Sequence, residues 1–330
     1  MKSVSLDRLL IEATVNRALL NMRVDSERQL RRLIDLAQTF TRSGNRKRFF
    51  TYAQDVMKNE DGAYYAALKA LIRNADRERI ATFGINFGYT GCMVAAEQIR
   101  RNEKQLGREI PWSSAMEIGA DCDATKVAET ISDGCSFGQA VFMIFVSDKR
   151  ALLSLGEIFS GHPTCAFLLF VTPNVIDGES AMFCGNYPNL FLSVNYDMEG
   201  AEAAGKLLHE NRLLFGFHAT YGDSNLQRLR DGVVQKFVGK AGGVCLFLYP
   251  EAGCGTQTLS EVERMVLDER AEQKYPSLCM DLYSDVAKIN AIISEKVNFS
   301  DCGKPEKPWL KAVALGESLL GFFRRKPVGV

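Results

Sequence analysis

The sequence predicts an α/β fold, a full or partial (βα) barrel of parallel strands preceded by a helical N-terminal region, and three observations lead there. From about residue 80 onward, short runs rich in β-branched and aromatic residues alternate with helix-patterned segments. Those runs are continuously apolar instead of alternating, as strands buried on both faces must be. No strand-to-helix turn carries the glycine fingerprint of a dinucleotide-binding sheet. An open doubly wound sheet is the alternative, and six or seven βα units in roughly 200 residues fit the barrel better.

The elements follow in chain order. Residues 5–79 have helical periodicity: DRLLIEATVNRALLNM sets Leu9, Leu10, Ala13, Leu19 and Leu20 in helical spacing, and SERQLRRLIDLAQTF offers Ser26 as a cap with Leu30, Leu33, Ile34 and Phe40 on one side. GAYYAALKALIRNADRERI is a further amphipathic run. The basic stretch RSGNRKRFF (42–50) reads as a solvated helix connection. The strand runs are IPWSSAMEI, QAVFMIFVS, TCAFLLFVT, LFLSVNYD, LLFGFHATY, GVCLFLYP and, as the weakest, SLCMDLYS. Between them lie the helical segments ATKVAETISDG, RALLSLGEIFSG, EGAEAAGKLLHEN, LQRLRDGVVQKFVGKAG and TLSEVERMVLDERAEQ. The resulting division is 1–79 helical region, 80–290 barrel and 291–330 tail. In the tail, Trp309, Leu310, Leu319, Leu320, Phe322 and Phe323 form an amphipathic segment expected to dock on the barrel rather than on a membrane.

Composition narrows the function classes. Forty basic residues balance forty acidic ones, which gives no support for nucleic acid or an anionic membrane as partner. Nine cysteines at irregular positions, an odd count, read as reduced thiols of a cytoplasmic protein. Acidic residues interrupt the N-terminal apolar run, and no run approaches the roughly 18 apolar residues of a membrane span, so the expectation is a soluble chain without a cleaved leader.

In a parallel βα barrel, functional residues belong at the C-terminal ends of the strands, where the following loops make one rim. The strand ends supply Glu117 and Cys122, then Ser147 and Asp148, then Thr172 and Asn174. They continue with Asn195 and Asp197, Thr220 and Tyr221, Glu251 and Cys254, and finally Asp281 and Tyr283. Such a rim is polar and acidic enough to bind a ligand. The histidines His162, His209 and His218 show no His-x3-His pattern and the cysteines no Cys-x2-Cys, which leaves zinc without support, and Cys135, Cys165, Cys245 and Cys279 read as core. GKAGG (239–243) reads as a helix-ending turn. PEAGCGTQTLSE (250–261) reads as a plain βα turn, with an anion site at its helix N-terminus as the second reading.

Several segments together resemble a known family. FGINFGYTG (83–91), EIPWSSAMEIGADC (109–122), CAFLLFVTPNVID (165–177), LFLSVN (190–195), LLFGFHATYGDSN (213–225) and PSLCMDLYSD (276–285) are similar to the radical S-adenosylmethionine enzymes, in particular a bacterial subgroup with a helical N-terminal extension. The resemblance spans roughly 5–290 through many weak matches. The family's loop after its first strand carries Cys-x3-Cys-x2-Cys, three thiolates that ligate three irons of a [4Fe-4S] cluster. Here Cys122 matches the first position, but Lys126 and Glu129 fall on the others, and neither replaces a thiolate on iron. The family's Gly-Gly-Glu-Pro run after the second strand is replaced by VSDKRALL.

What the resemblance implies is therefore a degenerate member that has lost the cluster, a catalytically silent homologue that binds a small ligand or a partner protein such as an active relative. Two enzyme alternatives remain at this point. One gathers Cys92, Cys122 and Cys254 from three loops around a cluster and S-adenosylmethionine. The other uses the acids Glu117, Asp148, Glu251 and Asp281 for acid-base work without iron.

Overall fold

A computed structural model describes residues 6–21, 59 and 61–295 of the chain. The expected helix at 26–40, the basic stretch at 42–50 and the amphipathic tail segment at 309–323 lie outside the described residues. Seven strands, β1 (Ser113–Ile118), β2 (Val141–Val146), β3 (Ala166–Val171), β4 (Leu190–Asn195), β5 (Phe215–Tyr221), β6 (Cys245–Pro250) and β7 (Leu278–Asp281), form one sheet in sequential order with every neighbouring pair parallel. The sheet curls into a half-barrel whose strands alternate with helices, an α/β fold with a helical N-terminal region. No described helix is long and apolar enough to cross a membrane.

Before β1 come α1 (Leu6–Asn21), α2 (Ala63–Asn74), α3 (Arg77–Gly84), a π-helical segment (Ile85–Val94) and α4 (Ala95–Leu106). The helices between strands are α5 (Ala124–Phe137), α6 (Lys149–Leu153), α7 (Gly156–Gly161), α8 (Gly178–Cys184), α9 (Ala201–Glu210), α10 (Gln227–Arg230), α11 (Val233–Lys240) and α12 (Thr256–Glu272), and α13 (Leu282–Ile293) follows β7.

Aspartate starts many of these helices. Asp76, Asp123, Asp148, Asp177 and Asp281 each sit at an N-cap and accept hydrogen bonds from backbone N–H groups of the first turn, which satisfies donors that have no partner inside the helix. The run RALLSLGEIFSG, expected as one helix, is split into α6 and α7. The run LQRLRDGVVQKFVGKAG is split into α10 and α11 at Gly232, whose φ of +66° and close approach to the Tyr275 hydroxyl leave no room for a Cβ.

Both faces of the sheet are covered, which is why the strands read as unbroken apolar runs. On the outer face Phe142, Ile144, Phe167, Leu169, Leu192, Phe217 and Leu246 pack with the connecting helices through Ile131, Leu152, Leu208, Val238 and Val262. On the inner face Val141, Met143, Phe145, Leu168, Phe170, Phe247 and Tyr249 pack with Ala96 and Ile99 of α4, Phe87 of the π-helical segment, and Leu282 and Val286 of α13. Phe145 and Phe170 stack at 4.5 Å, with Tyr249 set edge-on to Phe145 at 5.8 Å and Phe247 edge-on to Phe170 at 5.3 Å. Each such pair adds about 0.5–1.5 kcal/mol beyond its buried area.

A half-barrel leaves a gap between its first and last strands, and side chains close it. Asn290 of α13 accepts from the backbone N–H of Trp112, just before β1, at 2.8 Å. Arg100 of α4 donates to the Ile293 carbonyl at 3.2 Å, and Glu103 accepts from both Ser294 Oγ at 2.9 Å and Ile110 N at 3.0 Å.

Candidate functional site

The C-terminal ends of β4 and β5 build one connected polar cluster. Asn195, the last residue of β4, accepts from Asp197 N at 2.8 Å and so closes the turn that aims the Asp197 carboxylate. Asp197 Oδ2 then accepts from Thr220 N at 2.7 Å and Thr220 Oγ1 at 2.8 Å, while its Oδ1 lies 2.6 Å from Arg228 Nη1. Arg228 donates through Nη2 to the Thr220 carbonyl at 2.6 Å, and its guanidinium sits 5.6 Å from the centre of the Tyr196 ring. Asn195, Asp197 and Thr220, all expected at the rim, are thus brought together, and Arg228 and Tyr196 join them although strand-end reasoning missed both. An arginine on the short helix after β5, following a Gly-Asp turn, is the only sequence sign of the first.

Below this cluster lies a buried pair on the inner face. Ser193 Oγ is 3.1 Å from His218 Nδ1, and both residues are closed off at 0% and 2% exposure. The His218 ring is edge-on to Phe170 at 5.3 Å and stacked on Tyr249 at 6.0 Å. Burial pushes the Tyr249 hydroxyl up from its ordinary value, and the negative charges of Asp197 and Glu117 push it the same way. Glu117, exposed near the end of β1, therefore acts on the same inner wall.

The other expected rim residues serve the scaffold. Asp148 caps α6 through the N–H of Ala151 at 2.9 Å. Ser147 Oγ reaches the Ile118 carbonyl at 3.4 Å, and Asn174 is exposed in the single 3-10 turn Pro173–Val175. Glu251 accepts from Asn225, whose own Oδ1 takes the N–H of Gly222 at 2.9 Å. Asp281 is fully buried, caps α13 and accepts from the Tyr221 hydroxyl at 3.0 Å; burial raises its pKa to about 6, with Asp285 adding to the rise. Tyr221 belongs to the outer-face core, so parity along β5 turns it away from the inner face that holds Thr220. Of the four acids in the acid-base reading, Asp148 and Asp281 are occupied as helix caps and Asp281 is at 0% exposure, Glu251 is engaged by Asn225, and Glu117 is exposed near the end of β1.

The anion reading of 250–261 meets a similar obstacle. Asp223 stands beside Gly255 at the start of α12 and accepts from the Thr258 hydroxyl, so a carboxylate of the chain itself faces that helix N-terminus. Thr172 differs from the rest: its Oγ1 is buried with no hydrogen-bond partner among the described residues, as is Arg228 Nε.

The dispersed thiols do not converge. Cys122 follows β1 and Cys254 follows β6, five strands apart, which is roughly 24 Å along a sheet. Cys92 neighbours Gly91, which packs on Val141 at the N-terminal end of β2 and accepts from Trp112 Nε1. That is the opposite end of the strands from Cys122 and Cys254. Burial pushes the Cys122 thiol above its ordinary value, partly offset by a hydrogen bond with Ser154. At the positions matching the family's second and third cysteines, Lys126 reaches toward Asp123 at 3.8 Å with its side chain 81% exposed, and Glu129 is exposed. Among the described residues, the His, Cys, Asp and Glu side chains that do gather, with donor atoms within 4.8 Å of one another, are Cys135, His162 and Cys165. Cys165 is part of the outer-face core and Cys135 packs against it, as expected of core cysteines, and His162 and Cys165 stand in a His-x2-Cys spacing.

No family model matches the chain, and neither does any curated protein or solved structure. The likeness to radical S-adenosylmethionine enzymes therefore rests on the quoted segments alone.

Proposed function

We propose that the protein is a non-catalytic, cytoplasmic binding protein: a degenerate radical-S-adenosylmethionine-like half-barrel that carries no [4Fe-4S] cluster and takes a small polar ligand at the rim around Asn195, Asp197, Thr220 and Arg228. One observation carries the reading. Most carboxylates expected at this end of the sheet are engaged within the chain, Asp197 by Thr220 and Arg228, Glu251 by Asn225, and Asp148 and Asp281 as helix caps, and a general acid or base needs a carboxyl that can meet the substrate's proton. Ser193 beside His218 is closed off from any acyl group.

Two buried atoms at the same end, Thr172 Oγ1 and Arg228 Nε, have no partner among the described residues. A buried polar group left unpaired costs about 1–3 kcal/mol, so a ligand whose binding shifts the rim side chains and gives these atoms partners recovers part of that cost. The cluster-free part rests on Lys126 and Glu129 standing where thiolates are required.

Anaerobic purification with iron and sulfide analysis, followed by calorimetry with S-adenosylmethionine, tests both halves. The expected outcome is no stoichiometric iron and no saturable binding at about 10 μM, a threshold near 7 kcal/mol. Thermal-shift screening with small polar metabolites should return a ligand whose effect is lost in Thr172→Val. A stoichiometric cluster that disappears in Cys122→Ala would overturn the reading.

A further inference from the structure

Far from the rim, at the N-terminal ends of the strands, three potential ligands meet on separate elements. Cys135 is in the last turn of α5, His162 is the C-cap of α7, and Cys165 directly precedes β3. Cys135 Sγ lies 3.7 Å from His162 Nδ1 and 3.7 Å from Cys165 Sγ. A tetrahedral zinc ion with bonds of about 2.3 Å to sulfur and about 2.05 Å to nitrogen would hold two sulfurs about 3.8 Å apart and a sulfur and a nitrogen about 3.6 Å apart. A disulfide instead needs about 2.05 Å between sulfurs. The two separations have the spacing of donors that share one ion, and all three donor atoms lie within 4.8 Å of one another.

The turn that carries two of the donors is held from behind. Asn86, at 0% exposure, donates from Nδ2 to the Pro163 carbonyl at 2.8 Å and the Cys165 carbonyl at 2.9 Å. Asn189, at 3%, donates to the His162 carbonyl at 3.2 Å and the Phe159 carbonyl at 3.0 Å. Cys165 N returns to the His162 carbonyl at 3.0 Å. Arg8 of α1 in turn donates to Asn86 Oδ1 at 2.6 Å. Two buried amide side chains are thus committed to fixing the backbone of a four-residue turn, the kind of outer support that orients metal ligands.

We propose that Cys135, His162 and Cys165 form a structural site for a thiophilic divalent cation, zinc above all. Two sulfurs and an imidazole are the donor set zinc favours over magnesium or calcium. Three protein donors leave a fourth tetrahedral position for water or another ligand. The ion ties the end of α5 to the α7–β3 turn and, through Asn86, to the N-terminal helices. On this barrel-like sheet the N-terminal end is the one associated with stability and not with chemistry.

The test uses the full chain, stripped with a chelator under reducing conditions and titrated with Co²⁺ as a spectroscopic substitute. Saturation should come at about one equivalent, with the visible bands of a tetrahedral ion and sulfur-to-cobalt charge transfer, and Zn²⁺ should displace both. Cys135→Ser and Cys165→Ser should each cut the charge-transfer band by about half or more, the double variant should remove it, and Cys122→Ser should leave it. Because Cys165 is buried and its variant could misfold, X-ray absorption on the unmodified zinc-loaded protein gives an independent answer: two sulfurs at about 2.3 Å with nitrogen or oxygen completing the shell. Overturning results are no tetrahedral spectrum, a spectrum indifferent to Cys135→Ser, a shell with any other sulfur count, or a Cys135–Cys165 disulfide found by non-reducing mass spectrometry in the freshly isolated protein.

Discussion

Replacing Glu269 by glutamine should stabilise the protein, and by an amount that grows with pH. Glu269 is buried on α12, where its Oε2 accepts from Gln235 Nε2 at 3.2 Å. Glu269 Oε1 and Gln235 Oε1 are both buried without a hydrogen-bond partner among the described residues, so a proton on the carboxyl, or the NH₂ of an amide, supplies the donor the pair lacks. Burial raises the carboxyl's pKa to about 7 from an ordinary 4.5, with the Gln235 hydrogen bond and the charges of Arg270 and Lys274 pulling the other way. Between those two values the folded chain keeps a proton that the unfolded chain has released, so the native state loses stability as pH rises through the window. From about pH 5 to about pH 8.5 the loss integrates to about 2.5 kcal/mol. Glu269→Gln removes this titration while keeping the side chain's shape. Urea unfolding of both proteins across that range should show their stabilities close at the acid end and the variant ahead by about 2–3 kcal/mol at the alkaline end. Asp281 titrates in both proteins and cancels in the difference. A stability difference that is flat with pH, or that favours the wild type at alkaline pH, would refute the reasoning.

Asp197→Asn weakens the bond to Arg228 and takes a negative charge from the Thr220 cluster; urea unfolding at neutral pH should register a loss of about 1–3 kcal/mol, and a change within experimental scatter would mean the cluster is not formed in solution. Gly216→Ala puts a Cβ onto the Cys245 carbonyl of the neighbouring strand, where neither backbone can yield without breaking the ladder; expression in inclusion bodies or a loss of roughly 3 kcal/mol is expected, and wild-type stability would contradict the β5–β6 register. Cys122→Ala should leave circular dichroism, stability within about 1 kcal/mol and metal content unchanged, since its thiol is only half-buried; loss of bound iron on substitution would restore the cluster reading.

The sheet was legible because its signal is local. A strand covered on both faces has to be apolar at every position, and FMIF, FLLF and LFLY are that requirement written out. Where one residue has two duties the sequence misleads: Asp281 ends β7 and caps α13, so SLCMDLYS reads as a longer strand than the four residues that pair. The short α8 escaped notice because its identity lies in the Asp177–Ser180 capping box and not in any apolar period. Site residues divide along the same line. Asn195, Asp197 and Thr220 follow from strand ends, but strand ends alone also nominate Asp148 and Asp281, whose side chains turn back to cap helices. Arg228 reaches Asp197 across 31 positions, and Cys135 reaches His162 across 27, separations at which spacing carries no information until the sheet is assembled.

The seam between α13 and the start of the sheet has a consequence for how the chain comes together during synthesis. Each strand pairs with the one made just before it, so the ladder can grow in step with the emerging polypeptide, from β1 toward β7. The bonds from Asn290 to Trp112 and from Arg100 to Ile293 span 178 and 193 residues and must wait for the last helix. Until α13 arrives, the aromatic inner wall lacks the cover of Leu282 and Val286, and the outer edge of β1 has no lock. A nascent chain stalled before residue 282 is therefore a nearly complete sheet whose apolar lining is covered by α4 and the π-helical segment but not by α13, the species on which a holdase chaperone would act and from which aggregation would start.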